Sequence, residues 1–148
     1  MASNSVLAPG VTAVRALLAA NATFMASIQD LYPNTNGDPV DGCAQPYASV
    51  EAAGEVPFNT MGETSGLKWG GIGTIHLRLS SLSRSDAEIA QIAGLARGAL
   101  EGQAITVSGF GSATLEFTGL NPMADLIAGR KTREWVLTFE LTAHQGNP

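Results

Sequence analysis

Between Arg133 and Ala143 apolar and polar residues alternate almost without a break. Trp135, Leu137, Phe139 and Leu141 share one side of an extended chain, and Glu134, Val136, Thr138, Glu140 and Thr142 share the other. A period of two over so long a run does not suit a helix and demands a sheet with one buried face. At about 11 residues the run also exceeds the usual strand of five or six. A second run of the same kind covers 74–80, with Ile75, Leu77 and Leu79 set against His76, Arg78 and Ser80. Trp135, in phase with Leu137 and Phe139, reads as core.

The other elements follow from a change of period. From Val11 the apolar residues Val14, Leu17, Leu18, Met25 and Ile28 fall at helical spacing, Thr12 offers a cap and Pro33 ends the pattern. The spacing predicts one helix over 11–31. Residues 33–46 (PNTNGDPVDGCAQP) are turn chemistry throughout. A first strand is expected over 46–53. Ser85-Asp86-Ala87-Glu88 reads as a capping box opening a helix over 86–101, with Ile89, Ile92, Ala93, Ala96, Ala99 and Leu100 as its apolar stripe and Gly102 as its stop. Short strands are expected at 104–107 and 114–120 around a turn at 108–112. Asn121-Pro122 is expected to break the second of these, and 123–129 reads as one helical turn. Two amphipathic helices on one face of a mainly antiparallel sheet of four to five strands make a two-layer α+β fold. The whole chain, 1–148, reads as a single domain, with 1–10 and 144–148 frayed.

The stretch 57–73 (PFNTMGETSGLKWGGIG) fits none of these periods, yet carries Phe58, Met61, Leu67, Trp69 and Ile72. It joins two strands, so it is expected to form a hairpin arm reaching beyond the sheet. Such an arm has no core of its own and must lie against something else. Phe58, Met61, Leu67 and Trp69 are therefore candidate interface residues, with local packing as the equal alternative for Trp69. The chain's basic cluster, Arg130-Lys131-Thr132-Arg133, has two readings: a solvated turn, or a contact of Arg130, Lys131 and Arg133 with an acidic partner.

Charge excludes one large class of function. The formal net charge is −5 and only 14% of residues are charged, which argues against a groove that grips nucleic-acid phosphates. A surface this poor in charge, against an average near 25%, suits coverage by other chains; a small-residue bias in the source genome explains the same fact. No apolar run is long enough to span a membrane, and MASNSVLAPG lacks the basic region and apolar core of a signal peptide. The single cysteine, Cys43, lies in turn chemistry and reads as inert; it forms no internal disulfide and fits a reducing compartment. With two histidines, His76 and His144, it does not make a metal site at recognisable spacing. No nucleophile elbow or phosphate loop is present. Glu134 and Glu140 share a strand face but stand roughly 20 Å apart. Neither catalytic residues, nor a cofactor, nor a metal is expected.

Taken together, the chain resembles the tail terminator, or tail completion, proteins of long-tailed bacteriophages. The likeness runs over about 11–143. It rests on an opening helix, a proline-rich turn, a strand beginning Pro46-Tyr47, the hairpin arm, the strand His76-Leu77-Arg78-Leu79-Ser80, a helix stopping at Leu100-Glu101-Gly102, a closing hairpin and the final REWVLTFEL at 133–141. The resemblance implies an α+β fold and a structural role in the virion, without enzymatic activity. It implies a homo-hexameric ring on the head-proximal end of the tail tube, which ends tube polymerisation and joins the tail to the head–tail connector in the neck. DNA would pass through the lumen unbound, and the protein would be made in the host cytoplasm. Two other readings stay open: another ring of the neck or tail tube, and a small-molecule-binding α+β domain using the open sheet face.

Overall fold

The computed structural model describes residues 5–32, 46–62, 66–82, 85–127 and 130–144. Among them are three helices, α1 (Leu7–Ala19), α2 (Ala22–Ala26) and α3 (Ala87–Leu100), and six strands. The strands are β1 (Asp30–Tyr32), β2 (Tyr47–Gly62), β3 (Gly66–Ser81), β4 (Ala104–Val107), β5 (Gly111–Ile127) and β6 (Arg130–His144). They form one sheet in the order β1-β2-β3-β6-β5-β4. All neighbours are antiparallel except β1 and β2. The fold is α+β, as expected, with a sixth strand because Asp30–Tyr32 adds in parallel to the start of β2.

The two alternating runs lie side by side at the centre of the sheet. Leu77 pairs with Leu137, Ile75 with Phe139 and Leu79 with Trp135. Their apolar faces meet Val14, Leu18 and Phe24 from the first two helices and Ile89, Ile92, Ala96 and Leu100 from α3 in one core. Phe24, Ile75, Leu77, Leu79, Leu137 and Phe139 are essentially inaccessible; each such side chain contributes about 1.5–3 kcal/mol of transfer free energy. Trp135 is half-buried against this core.

The helix expected over 11–31 is broken and shifted. It begins at Leu7, ends at Ala19, and restarts at Ala22. Asn21 takes an extended conformation there, and its side chain accepts a hydrogen bond from the Phe24 amide at 3.0 Å. An asparagine that satisfies an amide this way competes with the helix it interrupts. The segment 5–10 is not frayed. Val6 is fully buried, and the Glu55 carboxylate on β2 accepts from the Val6 amide at 3.1 Å and from the Ser5 hydroxyl at 2.8 Å. Gly71 and Gly73 explain the glycine run before the central strand. A Cβ on Gly73 would come within 3.0 Å of Val6 Cγ2 and 3.3 Å of Leu7 Cδ2. The start of α1 thus crosses β3 where β3 has no side chains.

Two further expectations are corrected. The helix starts one residue later than the box at 85–88 requires: Asp86, not Ser85, stands at the N-cap, and it makes no side-chain cap hydrogen bond. Glu88 instead accepts from the Ser81 hydroxyl at 2.6 Å, which ties α3 to the end of β3. Nor does Asn121-Pro122 break the return strand. β5 runs through it to Ile127, where a helical turn was expected, and pairs with β6 down to Ile127 and Arg130. At the other end of α3 the stop is as read: Gly102 has φ +72°, a conformation suited to glycine.

Candidate assembly surface

The structure has two long hairpins rather than one. β2 and β3 pair as far as Gly62 and Gly66, whereas among the described residues β6 accompanies β3 only to the Gly70–His144 pair. The backbone of 57–69 therefore continues beyond the neighbouring strand as an arm. β5 and β6 pair as far as Ile127 and Arg130, whereas β3 accompanies β6 only to the Ser81–Arg133 pair. This second arm leaves the sheet at the opposite end. A bulge between Phe117 and Gly119 lies in β5 before the second arm, with Thr118 Oγ1 donating to the Thr138 carbonyl at 3.2 Å. Another, between Ala52 and Gly54, lies in β2 before the first.

The expected interface residues fall on both arms, and the structure does not gather them. By backbone register Phe58 pairs with Gly70, Asn59 with Trp69 and Met61 with Leu67 on the first arm. Arg130 and Lys131 pair with Ile127 and Leu126 on the second. The side chains of Phe58, Met61, Leu67, Trp69, Arg130 and Lys131 lie outside the described residues. Arg133 is set apart by its geometry: its Nη1 donates to Asp86 Oδ1 at 2.8 Å, joining β6 to the start of α3 within the chain.

Away from the helices the sheet carries a charge network that the sequence did not announce. Arg78, near the end of β3, donates to Glu51 on β2 at 3.2 Å and to Glu134 on β6. Glu134 is only 4% exposed, whereas Glu51 is 41% exposed. Ser49, Ser80 and Val136 are buried around it. The three charged residues come from positions 51, 78 and 134, and only strand pairing brings them together. A second arginine serves the other side of the sheet. Arg97, near the end of α3, stacks 4.2 Å from the Phe117 ring centroid and donates to Glu101 at 2.6 Å. That hydrogen bond, with the Arg97 charge, holds the Glu101 carboxyl below the usual range and raises Arg97 in return.

Among the described residues, no group of three or more His, Cys, Asp or Glu is placed to hold a metal ion. No described helix is long and apolar enough to cross a membrane. His76 lies half-buried in the central strand, paired in register with Glu51 and Thr138.

An α+β domain whose sheet runs past its own core at both ends has the build of a structural, assembling protein. The tail completion protein gp17 family matches residues 12–142, and the chain belongs to that family. It is thus a structural protein of the bacteriophage virion tail, a class that is not enzymatic. Among solved structures, a chain in the virion of a native gene transfer agent particle has a similar fold, with a TM-score of 0.69. The two are 18% identical, and the match covers 96% of this chain and 99% of that one. No curated protein matches the chain.

The sequence reading missed the second arm for a physical reason. Leu115 and Phe117 are in phase, but the bulge at Thr118 shifts the phase by one residue, so that Leu120 pairs with Leu137. Read with that shift, Leu120 and Pro122 continue the same face. Proline is tolerated here because β4 pairs only with 111–114 of β5, so Pro122 lies on an edge strand.

Proposed function

We propose that the chain forms a homo-hexameric ring on the head-proximal end of the tail tube, where it ends tube polymerisation and joins the tail to the head–tail connector. One observation carries the ring: in a tail completion protein, two hairpins leave the sheet at opposite ends. A closed ring needs a heterologous contact, in which one patch meets a different patch on the next copy. Arms at opposite ends supply two unlike projections. The first, with Phe58, Met61, Leu67 and Trp69, lies against a neighbouring subunit or the tail tube protein. The second presents Arg130 and Lys131 to an acidic partner in the neck. The net charge of −5 suits a lumen through which DNA slides without being held. In this role the protein needs no cofactor and performs no catalysis.

The test is the mass of the purified protein by light scattering across concentration and salt, followed by electron microscopy. A discrete closed species with the mass of the proposed hexamer, rather than an open series of sizes, is the expected result. Long stacks would indicate a tube subunit. A single chain at every concentration, with no ring on isolated tails, would overturn the reading.

A further inference from the structure

The first arm is braced at its root on one face only. Its root is the set of pairs Glu55–Gly73, Val56–Ile72 and Pro57–Gly71, and past Gly70 the two strands have no third strand beside them among the described residues. Two-stranded ribbons twist more strongly than wider sheets, so the direction of the arm is decided at these pairs. On the face away from the helices Val56 is 66% exposed, and that side of the root bears little packing. On the helix face β3 offers only Gly71 and Gly73, and Val6 and Leu7 lie over them. Residues 5–7 thus form a strap across a glycine floor.

One carboxylate holds strap and arm together. The Val6 carbonyl accepts from the Gly10 amide at 2.8 Å and starts α1, but the Val6 side chain caps nothing. The amides of the first turn need acceptors from elsewhere. Glu55 supplies them from β2. Its Oε1 accepts from the Val6 amide at 3.1 Å, and its Oε2 accepts from the Ser5 hydroxyl at 2.8 Å. The Ser5 oxygen in turn accepts from the Leu7 amide at 3.3 Å. The helix dipole also favours a negative charge at this end. Glu55 is aimed here by the bulge between Ala52 and Gly54. Before it, Tyr47, Ser49 and Glu51 pair with Ser80, Arg78 and His76 on the face away from the helices; after it, Glu55 pairs with Gly73 on the helix face. An unbulged strand would turn Glu55 away from α1. An extra residue in β2, two glycines in β3 and a serine before α1 all serve one carboxylate.

We infer that Glu55 is a latch: it holds the strap on the glycine floor and thereby fixes the direction in which the first arm is presented for assembly. This rests on the reading of that arm as an assembly contact, and specifies what regulates it. The lever is long. The β2 side of the arm, 57–62, extends about 20 Å from the root. A tilt of about 10° at the root moves the tip by about 3–4 Å, whereas a hydrogen bond is lost within about 1 Å. The strap lies outside the sheet, so it lifts without breaking any strand pair. Release of the latch therefore disarms the arm and leaves the sheet folded.

The test is pulsed electron spin resonance on the full-length protein, at a concentration where it is a single chain. Spin labels are placed at Thr60→Cys on the arm and Gln91→Cys on the exposed side of α3, in a Cys43→Ser background. With Glu55 in place the distance distribution should be single and narrow. Glu55→Ala should broaden it at least about twofold and raise the assembly concentration in light scattering at least about fivefold, the low end of a coupling between two sites. Glu55→Gln keeps an acceptor for the Val6 amide and a donor for Ser5, so it should hold both readouts near their starting values. Ser5→Ala leaves Val6 in place and should broaden the distribution in the same sense; added to Glu55→Ala it should broaden it no further, as for groups in one network. An unchanged width in both Glu55→Ala and Ser5→Ala would overturn the latch and leave the arm reading standing. A broadened distribution with undiminished assembly would overturn both.

Discussion

Replacing Arg78 by methionine tests whether strand pairing has buried a charge that depends on one partner. The side chain lies between Glu51 and Glu134, and the two contacts differ in kind. Glu134 is 4% exposed, and losing the only cation beside it among the described residues strands a carboxylate in a poorly solvated site. Such a loss costs 3–5 kcal/mol in fully buried pairs. Arg78 is 32% exposed, so water reaches the guanidinium and a figure of about 2–3 kcal/mol is expected after that discount. The Glu51 contact, between side chains 32% and 41% exposed, adds less than about 1 kcal/mol. Arg78→Met should therefore lower unfolding stability by about 2–4 kcal/mol, and Glu51→Gln by less than about 1 kcal/mol. The double variant Arg78→Met with Glu134→Leu should recover most of the loss, because no buried charge is left unpaired. Urea unfolding at neutral pH, with all variants at one dilute concentration, measures this by linear extrapolation. If Arg78→Met costs no more than Glu51→Gln, or if the double variant is the less stable, the reasoning fails.

Alanine for glycine inside an exposed helix usually stabilises by about 0.5–1 kcal/mol. At Gly10 the new Cβ would come within 2.5 Å of Leu141 Cδ2, a fully buried side chain. Overpacking of about 1–3 kcal/mol should outweigh the helix gain and leave Gly10→Ala less stable by thermal melting; a raised melting temperature would show that α1 does not sit so close to β6. Replacing 59–69 by an Asn-Gly turn, which suits a two-residue hairpin, should leave the folded chain intact by circular dichroism and weaken the ring in light scattering; undiminished rings would remove the first arm from the interface. The Glu101 carboxyl should titrate below its ordinary range by NMR, because Arg97 hydrogen-bonds and attracts its charged form. Its folded value is depressed, so its contribution is present above the unfolded value near 4.3 and fades as pH falls through the folded one. Arg97→Gln should return the titration towards the ordinary value, and an unmoved midpoint would contradict the assignment.

The sequence by itself determined the centre of this protein. Two long alternations at 74–80 and 133–143 call for strands with one apolar face in the core, and the structure pairs them residue by residue. The stripe of α3 and its stop at Gly102 were equally legible, because helical period and a left-handed glycine are local properties of the chain. The tertiary structure decided what local chemistry left balanced. Asn21 could continue a helix or interrupt one, and interruption allows Asp30–Tyr32 to join the sheet. Ser85 to Glu88 had the letters of a cap, but Ser81 lies within reach of Glu88 only once β3 is packed beside α3. Residues 121–127 have the breakers of a loop, yet β6 offers them a continuous ladder of partners. Non-local hydrogen bonds overrule propensities worth about 1 kcal/mol or less per residue. The opposed arms come from strand order alone, and strand order is a property of pairing between distant residues that no single stretch of this chain encodes.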